Sequence, residues 1–226
     1  MIWPDEAQAR RDILEVGRRM YAGGYVAAND GNISARVGED AFWATPTNVS
    51  KGFMSEDMLV KLDLDGNVLE GTLSPSSEVK LHLAAYRSDP GILGVVHAHP
   101  PIATAFAAAG IPLDEALLQE TVVMLGVVPV VPYTCPGSRE LAESVAPYVK
   151  EYNAVLLEHH GAVTWGDSVM RAYFRLESVE YYAKMMMNSR LMGVTRPMTE
   201  EQIDELLALR PKWRVDRGGR PRGRDR

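Results

Sequence analysis

The chain has 226 residues, of which 46% are hydrophobic and 24% charged, and its net charge is −6. This composition is typical of one globular domain with a sizeable core, and no apolar run approaches the ~18 residues of a membrane span. A single cysteine, Cys135, excludes a disulfide framework and indicates a reducing compartment. Because Met1–Pro4 runs into Asp5 with no signal peptide, we expect a cytoplasmic protein.

Apolar periodicity and Gly/Pro punctuation predict the elements in chain order. A first helix from about Asp5 to Met20 is followed by a meander of short antiparallel strands. Those strands are predicted at residues 33–37, 41–44, 59–64 and 68–69. The later elements are a helix starting near Glu78, a strand at 94–99, a helix at 102–109, a strand at 127–131, a helix after Ser138, two strands flanking His160, a helix over 169–192 and a last helix capped by Thr199.

Strands clustered early and late, with helices between them, indicate an α/β (α+β) fold, built as a three-layer α/β/α sandwich with a mainly antiparallel central sheet. We expect one domain over residues 1–213. Residues 214–226 contain six arginines and two aspartates, and this composition predicts a basic disordered tail. Because the rest of the chain carries −10, a solvated end is favoured over an arm that binds nucleic acid.

A His-x-His pair lies in the predicted strand over residues 94–99. Alternation along a strand puts His97 and His99 on the same side, roughly 6.6 Å apart at Cα. The neighbouring residues are small or apolar, so two buried imidazoles there need a shared partner. The spacing therefore predicts a metal site, with two imidazoles converging on one ion.

A third ligand is predicted at the end of the strand over residues 154–158. Pleating sends His159 and His160 to opposite faces, so at most one of them joins the site. The spacing does not choose between them, although Gly161 would let the backbone turn after His160. Glu78 and His82, four residues apart on a predicted helix, form an alternative ligand pair; the other interpretation of His82 is a packed helix histidine.

Glu78 follows a predicted helix start at Pro75-Ser76-Ser77. Serine is a favoured helix cap, and a glutamate in the first turn is favoured by the helix dipole. The same start leaves backbone N–H groups and two hydroxyls available to an anion. An anion pocket beside a carboxylate and two histidines suggests a phosphorylated substrate delivered to a metal.

Six motifs in order carry a resemblance to a known family. They are Gly31-Asn32-Ile33-Ser34 with Arg36, Thr45-Pro46-Thr47, Pro75-Ser76-Ser77-Glu78, Val96-His97-Ala98-His99, Gly137-Ser138-Arg139-Glu140-Leu141 and His160-Gly161. With these motifs the chain resembles the class II aldolase/adducin family, from the first helix to about residue 195. The resemblance implies the α/β/α sandwich and a homotetramer with active sites at subunit interfaces.

The resemblance also implies roles for individual residues. His97, His99 and His160 match the zinc-binding histidines of the family, one Zn²⁺ per subunit, although such a site also binds other divalent transition metals. Glu78 matches the acid that caps the zinc at rest and then acts as the base. The substrate phosphate is expected at Asn32, Thr47, Asn48, Ser76 and Ser77. Asn48 departs from the glycine often found there, so its side chain is expected to narrow the pocket.

These expectations describe a class II aldehyde-lyase. It would cleave a ketose 1-phosphate such as L-fuculose 1-phosphate to dihydroxyacetone phosphate and an aldehyde, with zinc as the Lewis acid and Glu78 moving the proton. The alternative is a decarboxylase or dehydratase of a sugar-acid or methylthio-sugar phosphate on the same fold. The expected partner is a small phosphorylated ketose, with no nucleic acid and no membrane.

One departure concerns the proton donor. The segment over residues 113–121 contains no tyrosine, where the resemblance leads us to expect one facing a neighbouring subunit. Glu120 is the candidate replacement. A subunit-contact or exposed glutamate is the competing interpretation, and a non-catalytic adducin-type module is the third functional class.

Overall fold

The computed structural model describes residues 3–224. Fifteen elements follow in chain order: α1 (Glu6–Ala22), β1 (Asn32–Gly38), β2 (Ala41–Ala44), β3 (Val60–Leu62), β4 (Val68–Glu70), α2 (Val79–Ser88), β5 (Gly94–Ala98), α3 (Pro101–Ala108), α4 (Gln119–Met124), β6 (Val130–Val131), α5 (Arg139–Val145), β7 (Ala154–Leu157), β8 (Gly161–Gly166), α6 (Val169–Leu191) and α7 (Glu200–Leu207). Within this range, no helix is both long and apolar enough to cross a bilayer.

One eight-stranded sheet runs through the molecule in the order β4-β3-β2-β1-β5-β8-β7-β6. Every neighbouring pair is antiparallel except β6 and β7, which are parallel. The prediction of a mainly antiparallel central sheet is therefore confirmed. The strand expected over residues 127–131 is reduced to Val130–Val131.

Alternating side chains of the sheet contribute to two separate cores. On one face, Ile33 and Val96 pack with residues of α1, α3 and α6. On the other face, Val95 and Trp165 pack with residues of α2 and α5. Because a sheet buried on both faces needs a helical layer on each, the chain forms the expected three-layer α/β/α sandwich.

Three helices begin directly after the residues that cap them. Asp5 caps α1, Ser138 caps α5, and Thr199 with Gln202 forms the predicted capping box of α7. The start of α2 differs from the prediction, since Glu78 is itself the N-cap residue rather than part of the first turn. No side chain caps this helix, and the Ser76 Oγ instead accepts a 3.3 Å hydrogen bond from the Glu78 N–H.

The prediction of a disordered basic tail is wrong for residues 214–224; residues 225 and 226 lie outside the described range. Val215 is 3% exposed, and the Arg217 guanidinium pairs with Asp89 at 2.6 Å. Arg220 and Arg222 pair with acidic residues of α7 and of the segment before α4. The composition of residues 214–226 gave the wrong prediction because acidic residues elsewhere in the chain, distant in sequence, form ion pairs with these arginines.

Candidate metal centre and active site

The two histidines of β5 point to the same side of the sheet, as their spacing predicts. His97 lies in the strand, His99 directly follows it, and their Nε2 atoms are 3.2 Å apart. The His97 Nδ1–H donates a 3.0 Å hydrogen bond to the carbonyl oxygen of Ala162 on β8. Because a carbonyl only accepts, this bond fixes the tautomer and leaves the Nε2 lone pair free to bind an ion.

His160 joins this pair and His159 does not. The His159 backbone is left-handed, with a φ of 56°, and its side chain is exposed. The His160 ring centroid lies 4.7 Å from that of His97 and 5.1 Å from that of His99. The turn therefore occurs at His159 rather than at Gly161. Glycine is needed at position 161 because a Cβ there would lie 2.5 Å from the Ala98 carbonyl oxygen.

The three imidazoles form a donor set that fits one divalent ion. One nitrogen from each ring can be chosen so that the three lie within 4.8 Å of one another, which is close enough for ligands of a common ion. Among residues 3–224, the buried His160 Nδ1 has no hydrogen-bond partner. His99 Nδ1 lies 3.5 Å from Asp30 Oδ2, so a carboxylate backs the ring as in many metal sites. Imidazole nitrogens suit zinc and also cobalt, manganese or nickel.

Glu78 reaches the same point from the start of α2. Its Oε1 lies 3.1 Å from His160 Nε2, and its Oε2 lies 3.3 Å from His97 Nε2. The Asn32 amide donates a 2.8 Å hydrogen bond to Oε2. Each carboxylate oxygen therefore contacts one imidazole, and Oε2 is also held by the amide.

Burial and neighbouring charge set the protonation states at this centre. Desolvation lowers the pKa of His97 to about 3, so this imidazole is neutral at pH 7 and able to bind a cation. Desolvation alone would raise the pKa of the Glu78 carboxyl, but the His97 and His160 rings and the Asn32 amide hold that pKa well below its usual range. Glu78 is therefore ionised, which suits a position beside a cation.

A buried hydrogen-bond chain fixes the amide that holds Glu78. Asn32 Oδ1 contacts His82 Nε2, His82 Nδ1 lies 2.6 Å from Ser34 Oγ, and Ser34 Oγ lies 2.6 Å from Tyr86 Oη. Because Asn32 Nδ2 donates to Glu78, its Oδ1 must accept, so His82 carries its proton on Nε2. Burial lowers the pKa of His82 to about 4, which keeps the ring neutral.

His82 is therefore neither a metal ligand nor a simple packing histidine. Sequence reasoning missed Ser34 and Tyr86 altogether. Their signal is present in the spacing, because Asn32 and Ser34 alternate on β1 while Glu78, His82 and Tyr86 recur every four residues along α2. A strand and a helix with such matched polar positions form a buried network only when they pack face to face.

The residues expected to bind phosphate lie on two adjoining loops. The Thr47 N–H donates a 2.9 Å hydrogen bond to the Ser74 carbonyl oxygen, and Pro46 forms an isolated bridge with Pro75. Thr47, Asn48 and Ser77 are exposed, and the Asn48 backbone is left-handed with a φ of 58°. Asparagine tolerates that conformation, which explains how a residue other than glycine occupies the loop.

Glu120 lies away from the three histidines. It is exposed in the first turn of α4, where it lines a groove with Tyr25 and Glu177. No contact within residues 3–224 joins Glu120 to Glu78 or to the histidines. Within residues 3–224, therefore, the carboxylates that contact the imidazole trio are those of Glu78 and Asp30, and Glu120 is not among them.

Comparison with known proteins identifies the class to which this fold and site belong. Residues 11–187 match the Class II Aldolase and Adducin N-terminal domain, and the chain belongs to the class II aldolase and adducin family. The 3-oxo-tetronate 4-phosphate decarboxylase of Pectobacterium atrosepticum is 33% identical over 89% of this chain and 93% of its own length. The L-fuculose phosphate aldolase of Methanocaldococcus jannaschii is 33% identical over 81% of this chain and 98% of its own length.

The fold comparison agrees with the family assignment. A solved structure of an L-fuculose 1-phosphate aldolase superposes with a TM-score of 0.84 at 26% identity, covering 94% of this chain and 99% of that one. The resemblance identified from the six sequence motifs is therefore confirmed. The names of these relatives divide between two reactions, a decarboxylation and an aldol cleavage.

Proposed function

We propose that the chain is a metal-dependent lyase that breaks a carbon–carbon bond in a phosphorylated keto sugar or keto acid and releases dihydroxyacetone phosphate. The observation that carries this proposal is the convergence of three imidazoles and Glu78 beside the loops of Thr47 and Ser77. Two relatives, each 33% identical to this chain, are named 3-oxo-tetronate 4-phosphate decarboxylase and L-fuculose phosphate aldolase, and both names support a phosphorylated substrate.

His97, His99 and His160 would hold the ion, one per chain, and zinc is the metal we propose. When bound, such an ion supplies Lewis-acid stabilisation of the negative charge that develops on substrate oxygen as the bond breaks. Glu78 is positioned to cover this centre before substrate enters. To leave, the carboxylate must break the hydrogen bond from Asn32 and give up its contacts with His97 and His160.

The phosphate would bind at the exposed loops around Thr47 and Ser77. We assign its contacts to two groups, the backbone N–H groups of the left-handed turn at Asn48 and the side chains of Asn32, Thr47, Ser76 and Ser77. Turns of this kind present N–H groups to anions. Contacts at the phosphate supply binding energy remote from the reacting bond, and this energy orients the bond for cleavage.

Glu78 would then handle the proton. Bond cleavage leaves an electron pair on the carbon next to the substrate carbonyl, and this carbon must gain one proton to become the hydroxymethyl group of dihydroxyacetone phosphate. Glu78, fixed by the chain from Tyr86 to Asn32, is the carboxylate of this chain that faces the centre. General acid–base help of this kind typically contributes about 10²- to 10⁴-fold in rate.

Loss of carbon dioxide is the reaction we favour, with a 3-oxo-tetronate 4-phosphate as substrate. Its carboxylate leaves as carbon dioxide, so the remaining carbon needs one proton, which the ionised Glu78 would take from a water molecule and pass to that carbon. Aldol cleavage also requires removal of a hydroxyl proton from the carbon that becomes the aldehyde. In the described chain Glu78 is the carboxylate that faces the converging Nε2 atoms, since Asp30 contacts the opposite nitrogen, Nδ1, of His99, and this arrangement supports decarboxylation.

The second candidate is the aldol cleavage of a ketose 1-phosphate such as L-fuculose 1-phosphate. It is supported by the aldolase from Methanocaldococcus jannaschii, which matches this chain at the same 33% identity as the decarboxylase. This reaction would use Glu120 of a neighbouring subunit to take the hydroxyl proton during cleavage and to return it to the aldehyde oxygen in the reverse reaction. The exposed side chains of Leu209 and Trp213 line a groove with Glu120, which supports a subunit contact there and our proposal of a homotetramer.

Product analysis tests the proposal. Protein reconstituted with zinc is mixed with 3-oxo-tetronate 4-phosphates and with a panel of ketulose 1-phosphates, and dihydroxyacetone phosphate and carbon dioxide are both measured. We expect equal amounts of the two products from the keto acid. Dihydroxyacetone phosphate from the ketuloses alone would establish the second candidate, and its absence from every substrate would reject the lyase proposal.

A further inference from the structure

A second cavity lies at the opposite end of β5 and β8 from the histidines. Gly94 at the start of β5 pairs with Gly166 at the end of β8, whereas the site is at the other end, where Ala98 pairs with Ala162. Part of the lining of the cavity comes from the C-terminal segment, at Pro211 and residues 214–217. Four arginines line it: Arg171, Arg175, Arg214 and Arg217.

The positive charges of this cavity are only partly neutralised by the chain. Two of the arginines pair with aspartates that also line the cavity, Arg171 with Asp167 at 2.9 Å and Arg217 with Asp89 at 2.6 Å. The other two, Arg175 and Arg214, have no carboxylate partner within residues 3–224. One further aspartate, Asp216, pairs with Arg217 as well. The cavity therefore retains positive charge.

Arg175 is the informative member, because it is 8% exposed and its guanidinium donates only to the Trp165 carbonyl oxygen. Burial, followed by the positive charge of Arg171 and Arg217, lowers its pKa to about 10 against the opposing effect of Asp167 and Asp216, so it remains charged at neutral pH. A buried charge with no counter-ion in direct contact is costly, and such charges in folded proteins are normally paired. The missing partner would be an anion.

We propose that this cavity binds a small anion carrying a phosphate group, held between Arg175 and Arg214. The guanidinium fork presents several N–H donors in a plane and matches the oxygens of phosphate, forming charge-assisted hydrogen bonds. The site is distinct from the phosphate pocket proposed beside the histidines, because the lengths of β5 and β8 lie between the two. The proposal therefore does not depend on which lyase reaction the chain catalyses.

The C-terminal segment over residues 211–217 forms part of the proposed anion site. Arg214 adopts a left-handed conformation with a φ of 55°, directly before the buried Val215. This turn anchors the segment through Val215 and the ion pair of Arg217, while Arg214 stays exposed at the rim of the cavity. The arginine-rich end of the chain thus builds one wall of an anion site.

Calorimetric titration of the full-length, zinc-loaded protein tests the assignment. Inorganic phosphate, pyrophosphate and glucose 6-phosphate are titrated separately at constant ionic strength, which distinguishes a free phosphate from a phosphorylated metabolite. We expect Arg214→Ala to weaken binding to one class of site by about tenfold, the usual effect of losing one charge-assisted hydrogen bond. The matched control is Arg18→Ala, which removes an exposed arginine of α1.

Arg214 is exposed, so its variant should fold, and circular dichroism verifies this. Arg175→Gln provides a second test, with its stability measured in parallel because the guanidinium also contacts the Trp165 carbonyl. If Arg214→Ala and Arg18→Ala bind each anion with the same stoichiometry and affinity as the wild type, the assignment is overturned. The same holds if a neighbouring subunit's carboxylate occupies the cavity in a structure of the assembled protein. Turnover is not the readout, so failure here leaves the lyase proposal intact.

Discussion

Asn32 and His97 stand opposite each other on β1 and β5, and both side chains contact the same oxygen of Glu78. Residues paired across antiparallel strands share a face of the sheet, so the backbone register itself directs an amide and an imidazole at one carboxylate. The Glu78 carboxylate arrives from α2, which packs on that face. The site is thus a direct product of strand register and helix placement.

Replacing Glu78 by glutamine should separate metal binding from turnover. The amide keeps the shape of the carboxylate, and three histidines remain to bind the ion, so metal content should stay at that of the wild type. The rate should fall by about 10²- to 10⁴-fold, because the group that moves the proton is lost. Elemental analysis and release of dihydroxyacetone phosphate measure the two effects. An unchanged rate would remove Glu78 from the mechanism.

His159 and His160 offer a matched pair of variants at adjacent positions. His160→Ala should lose most of the bound metal, because the ring lies within the imidazole trio. His159→Asn should keep the metal, since its side chain is exposed and asparagine tolerates the left-handed backbone. Dialysis against a metal buffer followed by elemental analysis compares them. Equal metal loss in both variants would contradict the assignment of His160 as a ligand.

His82→Phe should impair both stability and turnover without removing the ion. Phenylalanine leaves Ser34 Oγ and Asn32 Oδ1 buried without their partner, at a cost of about 1–3 kcal/mol each. The Asn32 amide also loses the contact that fixes its orientation, so Glu78 is held less well and kcat should fall. Urea unfolding, metal analysis and kinetics measure the three quantities, and His159→Asn again serves as the control. Full turnover in a folded variant would exclude a positioning role for His82.

Lys51 should give the protein a distinctive response to alkaline pH. This side chain is 1% exposed, donates to the carbonyl oxygens of Asn29 and Val49, and has a pKa that burial lowers to about 8 from 10.5. Between these two values the unfolded chain binds more protons than the native one, so this residue makes stability rise with pH. The cost of burying its charge, present at pH 7, is relieved above about 8.

Urea unfolding at pH 7.5 and 9.5 measures this effect for the wild type and for Lys51→Met. The wild type should gain about 2 kcal/mol of stability relative to the variant between pH 7.5 and 9.5. The variant should be less stable at both pH values, since two buried carbonyl groups lose their donor. If the stability difference between the wild type and Lys51→Met is the same at both pH values, the assigned pKa of Lys51 is refuted.

Deleting residues 214–226 should destabilise the protein. The deletion removes the buried Val215 and the Arg217 guanidinium, which contacts Asp89 and donates a 2.8 Å hydrogen bond to the Val149 carbonyl oxygen. The loss should reach about 3 kcal/mol, combining one buried valine with a broken partly buried ion pair. Lys212→Ala, which changes an exposed cation just before the segment, is the control. A truncated protein as stable as this control would restore the prediction of a disordered tail.

The parts of the fold set by local pattern could be predicted from the sequence. The alternation of side chains along a strand predicted that His97 and His99 share a face, and the capping residues predicted where α5 and α7 begin. The choice of His160 over His159 came from the family resemblance, because pleating alone leaves both open and the left-handed turn at His159 has no signal in the sequence.

Ion pairs and hydrogen bonds between residues far apart in the sequence could not be predicted from the sequence pattern. The partner of Arg217 is Asp89, 128 residues earlier in the chain, and composition contains no information about that pairing. Nor does composition reveal that Ser34 contacts both His82 and Tyr86, because hydrogen bonds between a strand and a helix depend on how the two elements pack. Glu120 remains a prediction that only the assembled protein can test.

The hydrogen-bond chain from Tyr86 to Glu78 also indicates where this enzyme could be altered. Four of its five members are almost inaccessible to solvent, so each substitution there disturbs the interior as well as the chemistry. Thr47, Asn48 and Ser77, by contrast, are exposed and belong to no such chain. Laboratory evolution towards bulkier or differently charged compounds should therefore find its tolerated changes in these loops, while the acid and its supports stay constant.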